Sequence, residues 1–287
     1  MLPSYLSDRA IAEFINAALA EDLGEGDHST LGSIPSGINA QAKLVVKEDG
    51  ILAGIELAGR IFQQFDPGLT LSDSKKDGDP IRKGDIGFIV SGHARSILST
   101  ERLVLNCMQR MSGIATYAHR LCSLIEGTKA QLLDTRKTTP NFRLPEKWAV
   151  EIGGGKNHRF ALYDMVLLKD NHIDMAGGIS EAITRVRAYL HTVNKNLQIE
   201  VETRSLVEVK EVIRTGGVDV IMLDNMAVED MREAVKMIDG RYKVEASGGI
   251  KEETLRSIAE CGVDYISMGA LTHSAKSLDL SLKVIKP

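Results

Sequence analysis

The chain has 287 residues, 43% of them hydrophobic, and its 35 Lys and Arg against 39 Asp and Glu give a formal net charge of −4. That size supports a large core in one barrel or two domains, whereas a slightly acidic chain without a basic, aromatic-interleaved stripe excludes nucleic acid as the main partner. Cys107, Cys122 and Cys261 lack a CxxC spacing, and no apolar run approaches membrane-spanning length, so a cytoplasmic protein with no disulfide framework and no membrane partner is expected.

Ser7 or Asp8 caps a first helix, whose Ile11, Phe14, Ile15, Ala18 and Leu19 recur at helical spacing until it stops near Gly24. From residue 40 to 94 the pattern shifts to short apolar strands, such as 43–47 and 86–90, punctuated by charged Gly and Pro turns, with a helix over Ile55–Phe65. Ser99 or Thr100 then caps a long helical tract through Leu103, Met108, Met111, Ala115, Leu121 and Ile125, with Gly113 as a break and Gly127 as the stop. Residues 1–112 therefore form a small α+β domain and residues 113–287 a second, with a tail from about 276 placed back against the first.

In the second domain apolar strands are expected at 131–134, 165–168, 199–202, 220–223, 243–246 and 265–268, with helical patterns between them. This alternation predicts a parallel, helix-wrapped sheet, closed or nearly closed into a barrel, with an open doubly wound sheet as the alternative. In such barrels the site lies at the carboxyl ends of the strands. Here those ends carry Arg136 and Lys137, Lys169, Glu202, Asp224, Ser247-Gly248-Gly249 and Gly269, with His158 and Arg159 between the first two strands.

Arg136 and Arg159 offer planar forks for carboxylate or phosphate oxygens, Lys137 and Lys169 offer point charges, and His158 adds either a switchable donor or a buried, hydrogen-bonded histidine. A polyanionic small ligand follows, with Asp134 and Asp170 as counter-ions that hold the forks. Glu202 and Asp224 end successive strands where a hard cation, with magnesium foremost, or a pair of ribose hydroxyls could sit. Glu200 shares a face with Glu202, and the two could exchange roles. Ser247, Gly248, Gly249 and Gly269 suit close approach of backbone amides to a phosphate. Gly153-Gly154-Gly155 is not a nucleotide loop, because Val150 and Asn157 break that pattern, so a flexible or tight-approach turn is expected. Arg102, placed in the first turn of its helix, wants a nearby anion, one shared across a subunit contact being the sharper reading. A Schiff-base lyase using Lys169 and a non-catalytic anion-binding barrel are the competing classes.

The motifs Asp134-Thr135-Arg136-Lys137-Thr138-Thr139-Pro140, Lys156-Asn157-His158-Arg159 and Glu245-Ala246-Ser247-Gly248-Gly249-Ile250 closely resemble those of the quinolinate phosphoribosyltransferases. The similarity extends from Glu21-Asp22-Leu23-Gly24 through Thr100-Glu101-Arg102 to Ser267-Met268-Gly269. It implies an α/β architecture of the type II phosphoribosyltransferases: a small N-terminal α/β sandwich followed by an incomplete, open α/β barrel, assembled as a homodimer or a multiple of dimers. It implies quinolinate and phosphoribosyl pyrophosphate as substrates, Mg2+ as cofactor, and a place in NAD biosynthesis. Arg136, His158, Arg159 and Lys169 would hold the pyridine dicarboxylate, with Arg102 reaching in from a partner subunit. Lys137, Glu202 and Asp224 would be catalytic, handling phosphoribosyl pyrophosphate and its magnesium, with metal contact by Glu202 and Asp224 direct or indirect. Ser247, Gly248, Gly249 and Gly269 would hold the 5′-phosphate.

Overall fold

A computed structural model describes residues 5–285. In chain order the elements are α1 (Asp8–Leu23), α2 (His28–Ser33), β1 (Asn39–Val46), β2 (Gly50–Ile51), α3 (Ile55–Phe65), β3 (Thr70–Ser72), β4 (Pro80–Ile81), β5 (Ile86–His93) and α4 (Ala94–Leu124). There follow β6 (Gln131–Leu133), α5 (Arg143–Ile152), β7 (Val166–Leu168), α6 (Asp170–Ala176), α7 (Ile179–Thr192), β8 (Ile199–Thr203), α8 (Leu206–Thr215) and β9 (Val220–Asp224). The last are α9 (Val228–Ile238), β10 (Lys243–Ser247), α10 (Glu252–Ala259), β11 (Tyr265–Ser267), α11 (Ala270–His273) and β12 (Leu280–Ile285). They sort into two compact units that interleave along the chain.

The first unit takes the chain up to His119, Lys137–Gly154 and the segment from Ala270 onward. Its sheet runs β12-β1-β5-β3, antiparallel throughout, so the last strand of the chain pairs with the first. Helix α3 buries Leu57, Ala58, Ile61 and Phe62, one face at helical spacing, and Phe62 meets Phe88 of β5 edge to face at a centroid distance of 6.0 Å. Ser7 caps α1 by accepting from the Ala10 amide at 3.2 Å.

Two expectations for the long helix need correction. It begins at Ala94, directly after β5, so Thr100 lies inside it and donates back to the Ser96 carbonyl at 2.7 Å. Arg102 is therefore well past the first turn and exposed, where the helix dipole places no demand on it. Nor does Gly113 break the helix, which runs through it for 31 residues. The glycine is there for packing: a Cβ at that position would collide with the carbonyl oxygen of Lys276 and come within 3.0 Å of Ser277 Cα. The segment after α11 thus lies on α4, tied further by Leu278 N to Gln109 O at 2.9 Å and Gln109 Nε2 to Leu280 O at 2.8 Å.

The second unit, Arg120–Arg136 and Gly155–Gly269, holds the six expected strands in a parallel sheet of order β6-β11-β10-β9-β8-β7. That order runs in one direction and brings the first strand beside the last, which is a barrel opened between β6 and β7 rather than a doubly wound sheet with a switch point. The curl is visible in a contact. On a flat sheet β6 and β8 would stand roughly 19 Å apart, four strand spacings. Instead His158, carried by a segment paired to the outer edge of β6 at Lys156, reaches Glu200 of β8 at 2.8 Å.

Strand alternation gives the interior its chemistry. The pairs Glu202–Met222–Glu245–Tyr265 and Asp224–Ser247 share the inner face, while Val201, Ile221, Leu223, Val244, Ala246 and Ile266 point the other way and are buried.

Gly113→Ala should lower stability by about 1–3 kcal/mol, the cost of overpacking, although helix propensity alone predicts a gain near 1 kcal/mol. Urea denaturation of the two proteins measures it, and a stabilised variant would refute the packing account.

Candidate active site

Three strand ends in the second unit converge at Lys169, Glu202 and Asp224. Glu202 is half-buried; burial and then the charge of Asp224 raise its pKa, while Lys169 opposes them. The backbone amide of Asp170, the first residue of α6, donates to the Glu202 carboxylate. Glu202 and Asp224 are thus neighbouring carboxylates whose repulsion a cation would relieve, and the donor set suits magnesium. Glu200 sits one layer deeper, fully buried, so it is Glu202 that accompanies Asp224.

Beside them the small residues of the late strands meet. Ser267 Oγ donates to Ser247 Oγ at 3.0 Å, and the Asn225 amide donates to the Ser247 carbonyl at 2.9 Å. Asn225 is left-handed (φ 53°), and its side-chain amide donates to Asp224 Oδ2 at 2.7 Å. The same side chain fills the space over Gly248, where a Cβ would fall 2.5 Å from it at φ 83°. Asn225 therefore joins the carboxylate to the glycine turn. It went unnoticed in the sequence, although an Asn after a strand-terminal Asp is a recognised left-handed turn former.

The basic half is built on the segment at the open seam. Lys156 bridges to Leu133, Asp134 Oδ1 accepts from the His158 amide at 2.9 Å, and Asp134 Oδ2 accepts from Asn157 Nδ2 at 2.7 Å. Asp134 thus fixes the chain that presents Arg159. Arg159 Nη1 donates to the Met165 carbonyl at 3.2 Å. Burial and then the charge of Arg136 hold the Arg159 guanidinium below its ordinary pKa, against the pull of Glu200. Arg136 is half-buried, and its Nε is buried with no acceptor among the described residues. Two guanidiniums are thus held close together with a donor unmet, an arrangement that a bound anion completes.

His158 points inward. Its Nε2 lies 2.8 Å from Glu200 Oε2 and 3.4 Å from Glu245 Oε2, and its Nδ1 accepts from the Arg159 amide at 2.8 Å. Burial lowers the imidazole pKa, but the two carboxylates outweigh it and raise it to about 10, a value that implies a doubly protonated ring. The Nδ1 bond says otherwise, because a nitrogen that accepts carries no proton. Glu200 is itself raised to about 7 by burial and by Glu245, so the carboxylate pair can keep the proton that the ring would otherwise carry on Nδ1. Glu245 was missed in the sequence. Its signal was a carboxylate at period two from Ser247, inside the apolar run of β10.

Lys137 and Arg102 belong to the first unit, and both are exposed. The Lys137 carbonyl accepts from Thr272 Oγ1 at 2.8 Å. The turn after it is anchored by Glu146, fully buried, which accepts from the Thr139 amide at 2.9 Å, from Thr139 Oγ1 at 3.0 Å and from Arg110 at 2.9 and 3.0 Å. Arg110 also donates to the Ala275 and Thr272 carbonyls. This network makes a single brace under the Lys137 loop, and no motif announced it. Of the two turns open to the triple glycine, flexible or tight-approach, the structure has the second: Gly153 is buried, with the Ala115 backbone and Ala118 Cβ where its own Cβ would be. Lys169 is exposed beside Glu202, unlike the dry apolar pocket of a Schiff-base lysine.

Comparison with known proteins fits this geometry. Residues 27–112 match the family described as quinolinate phosphoribosyl transferase, N-terminal domain, and residues 114–283 its C-terminal domain. The chain belongs to the quinolinate phosphoribosyl transferase family. A relative from Oryza sativa subsp. japonica, named nicotinate-nucleotide pyrophosphorylase [carboxylating], chloroplastic, is 48% identical over 94% of this chain and 76% of its own length. One from Bacillus subtilis (strain 168), named probable nicotinate-nucleotide pyrophosphorylase [carboxylating], is 42% identical over 96% and 93%. The crystal structure of NadC from Streptococcus pyogenes superposes with a TM-score of 0.90 at 41% identity, covering 99% of this chain and 100% of that one. The small N-terminal domain and open α/β barrel expected of the family are those seen here.

Removing the buried anchor tests the brace under the Lys137 loop. Glu146→Ala leaves Arg110 without its carboxylate and should cost about 3–5 kcal/mol, as for other broken buried pairs, read as a lowered denaturation midpoint. A near-neutral change would mean that solvent already screens this pair.

Proposed function

We propose that the protein transfers the phosphoribosyl group of phosphoribosyl pyrophosphate to the ring nitrogen of quinolinate with loss of carbon dioxide, giving nicotinate mononucleotide and pyrophosphate, a step of NAD biosynthesis. The observation that carries this reading is the buried, acceptor-free Nε of Arg136 beside a second guanidinium, Arg159. Two ring carboxylates supply the charge and the acceptors that this pair wants. Lys169 adds a third cation next to Glu202. The names of the curated relatives support the same substrates.

Across the barrel mouth, the Gly248 turn with Ser247, Gly249 and Gly269 would receive the 5′-phosphate through backbone amides. Glu202 and Asp224 would face the ribose, where positive charge grows at the anomeric carbon as pyrophosphate leaves, and would stabilise it. Lys137, next in sequence to Arg136, would neutralise the phosphorylated sugar's diphosphate. Magnesium fits the repelling pair Glu202 and Asp224, which would hold it directly or through water, and it would supply positive charge for the leaving group. The residues otherwise act by placement, holding the ring nitrogen in line with the anomeric carbon. Once ribosylated, the ring nitrogen is cationic beside the C2 carboxylate; it stabilises the carbanion left when the C2–carboxyl bond breaks and carbon dioxide departs, and that carbon then takes a proton from water to give the product. No covalent link to the protein is required.

We infer a homodimer, or a multiple of dimers, in which exposed Arg102 completes the dicarboxylate site of the partner subunit. A cytoplasmic setting is supported by three unpaired thiols, Cys107, Cys122 and Cys261. No helix among the described residues is long and apolar enough to cross a membrane.

Carbon dioxide release from carboxyl-labelled quinolinate, dependent on phosphoribosyl pyrophosphate and magnesium, is the deciding assay; binding of both substrates without turnover would leave only an anion-binding barrel. Arg136→Ala should weaken quinolinate binding by about 2–5 kcal/mol and leave phosphoribosyl pyrophosphate affinity largely intact. Calorimetry that found both affinities falling together would dissolve the division of the pocket. Chains carrying Arg102→Ala and chains carrying Arg159→Ala, each inactive alone, should regain activity when mixed as verified heterodimers, since one site per hybrid is whole.

A further inference from the structure

Both ring nitrogens of His158 are occupied inside the protein, which leaves the histidine no polar atom to offer a substrate. We propose that Glu200 and Glu245 are positioning residues: they hold His158 as the Nε2–H tautomer, so that Nδ1 accepts the Arg159 amide and the Arg159 guanidinium is aimed at the dicarboxylate. The inference rests on the function proposed above and deepens it, by moving His158 from ligand contact to scaffold.

Glu200 and Glu245 are 0% and 1% exposed, and each presents Oε2 to His158 Nε2. A neutral imidazole has one donor and one acceptor. With the proton on Nε2, the ring donates toward two carboxylates and accepts from a backbone amide. The other tautomer would turn a lone pair toward the carboxylate pair, which has at most one proton to offer it, and a proton toward the Arg159 N–H, where the bond would become a repulsion. The same reasoning removes a cation from the cluster, although the three side chains have ligand atoms within 4.8 Å of one another. A metal needs the Nε2 lone pair, hence a proton on Nδ1, and that proton would face the Arg159 amide.

The consequence reaches Arg159 through short links. The His158 amide is fixed by Asp134, the Arg159 amide by His158 Nδ1, and the Arg159 fork by the Met165 carbonyl. Glu200 also attracts the guanidinium directly. Arg159 is therefore held along its length at a place where the neighbouring guanidinium of Arg136 would push it away.

Two replacements separate the ring positions. In His158→Asn the side-chain oxygen can take the place of Nδ1, whereas in His158→Gln the polar group falls at Nε2. With intact dimeric protein, calorimetry should give His158→Asn a quinolinate dissociation constant within about threefold of wild type. His158→Gln, and the paired change Glu200→Gln with Glu245→Gln, should each weaken quinolinate roughly tenfold, the loss of one net hydrogen bond, while phosphoribosyl pyrophosphate binding stays within about twofold. The reverse ranking, with Gln better than Asn, would restore His158 as a direct donor to the substrate, and parallel loss of both ligands would reduce the cluster to a plain structural role. Nitrogen-15 spectra of histidine-labelled wild-type protein give a second answer that needs no variant to fold. A protonated Nε2 with a bare Nδ1 at neutral pH is expected; a protonated Nδ1 overturns the proposal. Should wild-type protein fail to bind quinolinate at all, the functional reading falls, while the spectra still decide the tautomer.

Discussion

The basic half of the barrel mouth depends on how the seam between β6 and β7 is closed. Six parallel strands curl without meeting, and the chain from Gly155 to Arg159 lies along the exposed edge of β6 and sends one imidazole into the interior. Buried carboxylates on β8 and β10 receive it. An irregular segment is thereby tied into the barrel on both sides of Arg159. Without Glu200 and Glu245 the seam would carry a loop, and loops are poor places for a charge whose direction matters.

The arrangement also explains why like charges can be tolerated at the mouth. Sequence order gave cations first, carboxylates next and glycines last, but the sheet rearranges them. Across the arc, Arg136 after β6 is followed by Gly269, the Ser247 turn, Asp224, Glu202 and finally Lys169 after β7. The cations thus occupy the two edges and the acidic and small residues the centre. Cations at the rims face carboxylates of the middle strands, as Lys169 does Glu202 and Arg159 does Glu200. Repulsion within each half is offset by attraction across it, and the remaining imbalance on the basic side is a preference for anions.

Much of this was legible before any coordinates. Strand positions followed from short apolar runs at βα spacing, because parallel strands buried on both faces read that way, and α3 was matched end to end by its amphipathic pattern. The carboxyl ends of those strands then pointed to Arg136, Lys169, Glu202 and Asp224 without further information. What stayed hidden depended on partners distant in sequence. Gly113 looks like a helix breaker until the carbonyl of Lys276 is seen against it. His158 reads equally as a ligand contact or as a buried, hydrogen-bonded histidine until its nitrogens are found bonded to Glu200 and to its own neighbour. Glu146 and Arg110 carry no motif, because an ion pair between a buried carboxylate and a half-buried guanidinium leaves only two ordinary charged letters in the chain.

The pairing of β12 with β1 has a consequence for assembly. The outer edge of β1, from Gln41 to Val46, has its partner at the far end of the chain, after the whole barrel has been made. During synthesis that edge stands open, a row of unsatisfied amides and carbonyls able to recruit any extended stranger. Contacts so distant in sequence also form late. The first unit therefore begins early and finishes last, and a nascent chain is most exposed to aggregation in the interval when its barrel is complete and its closing strand has yet to arrive.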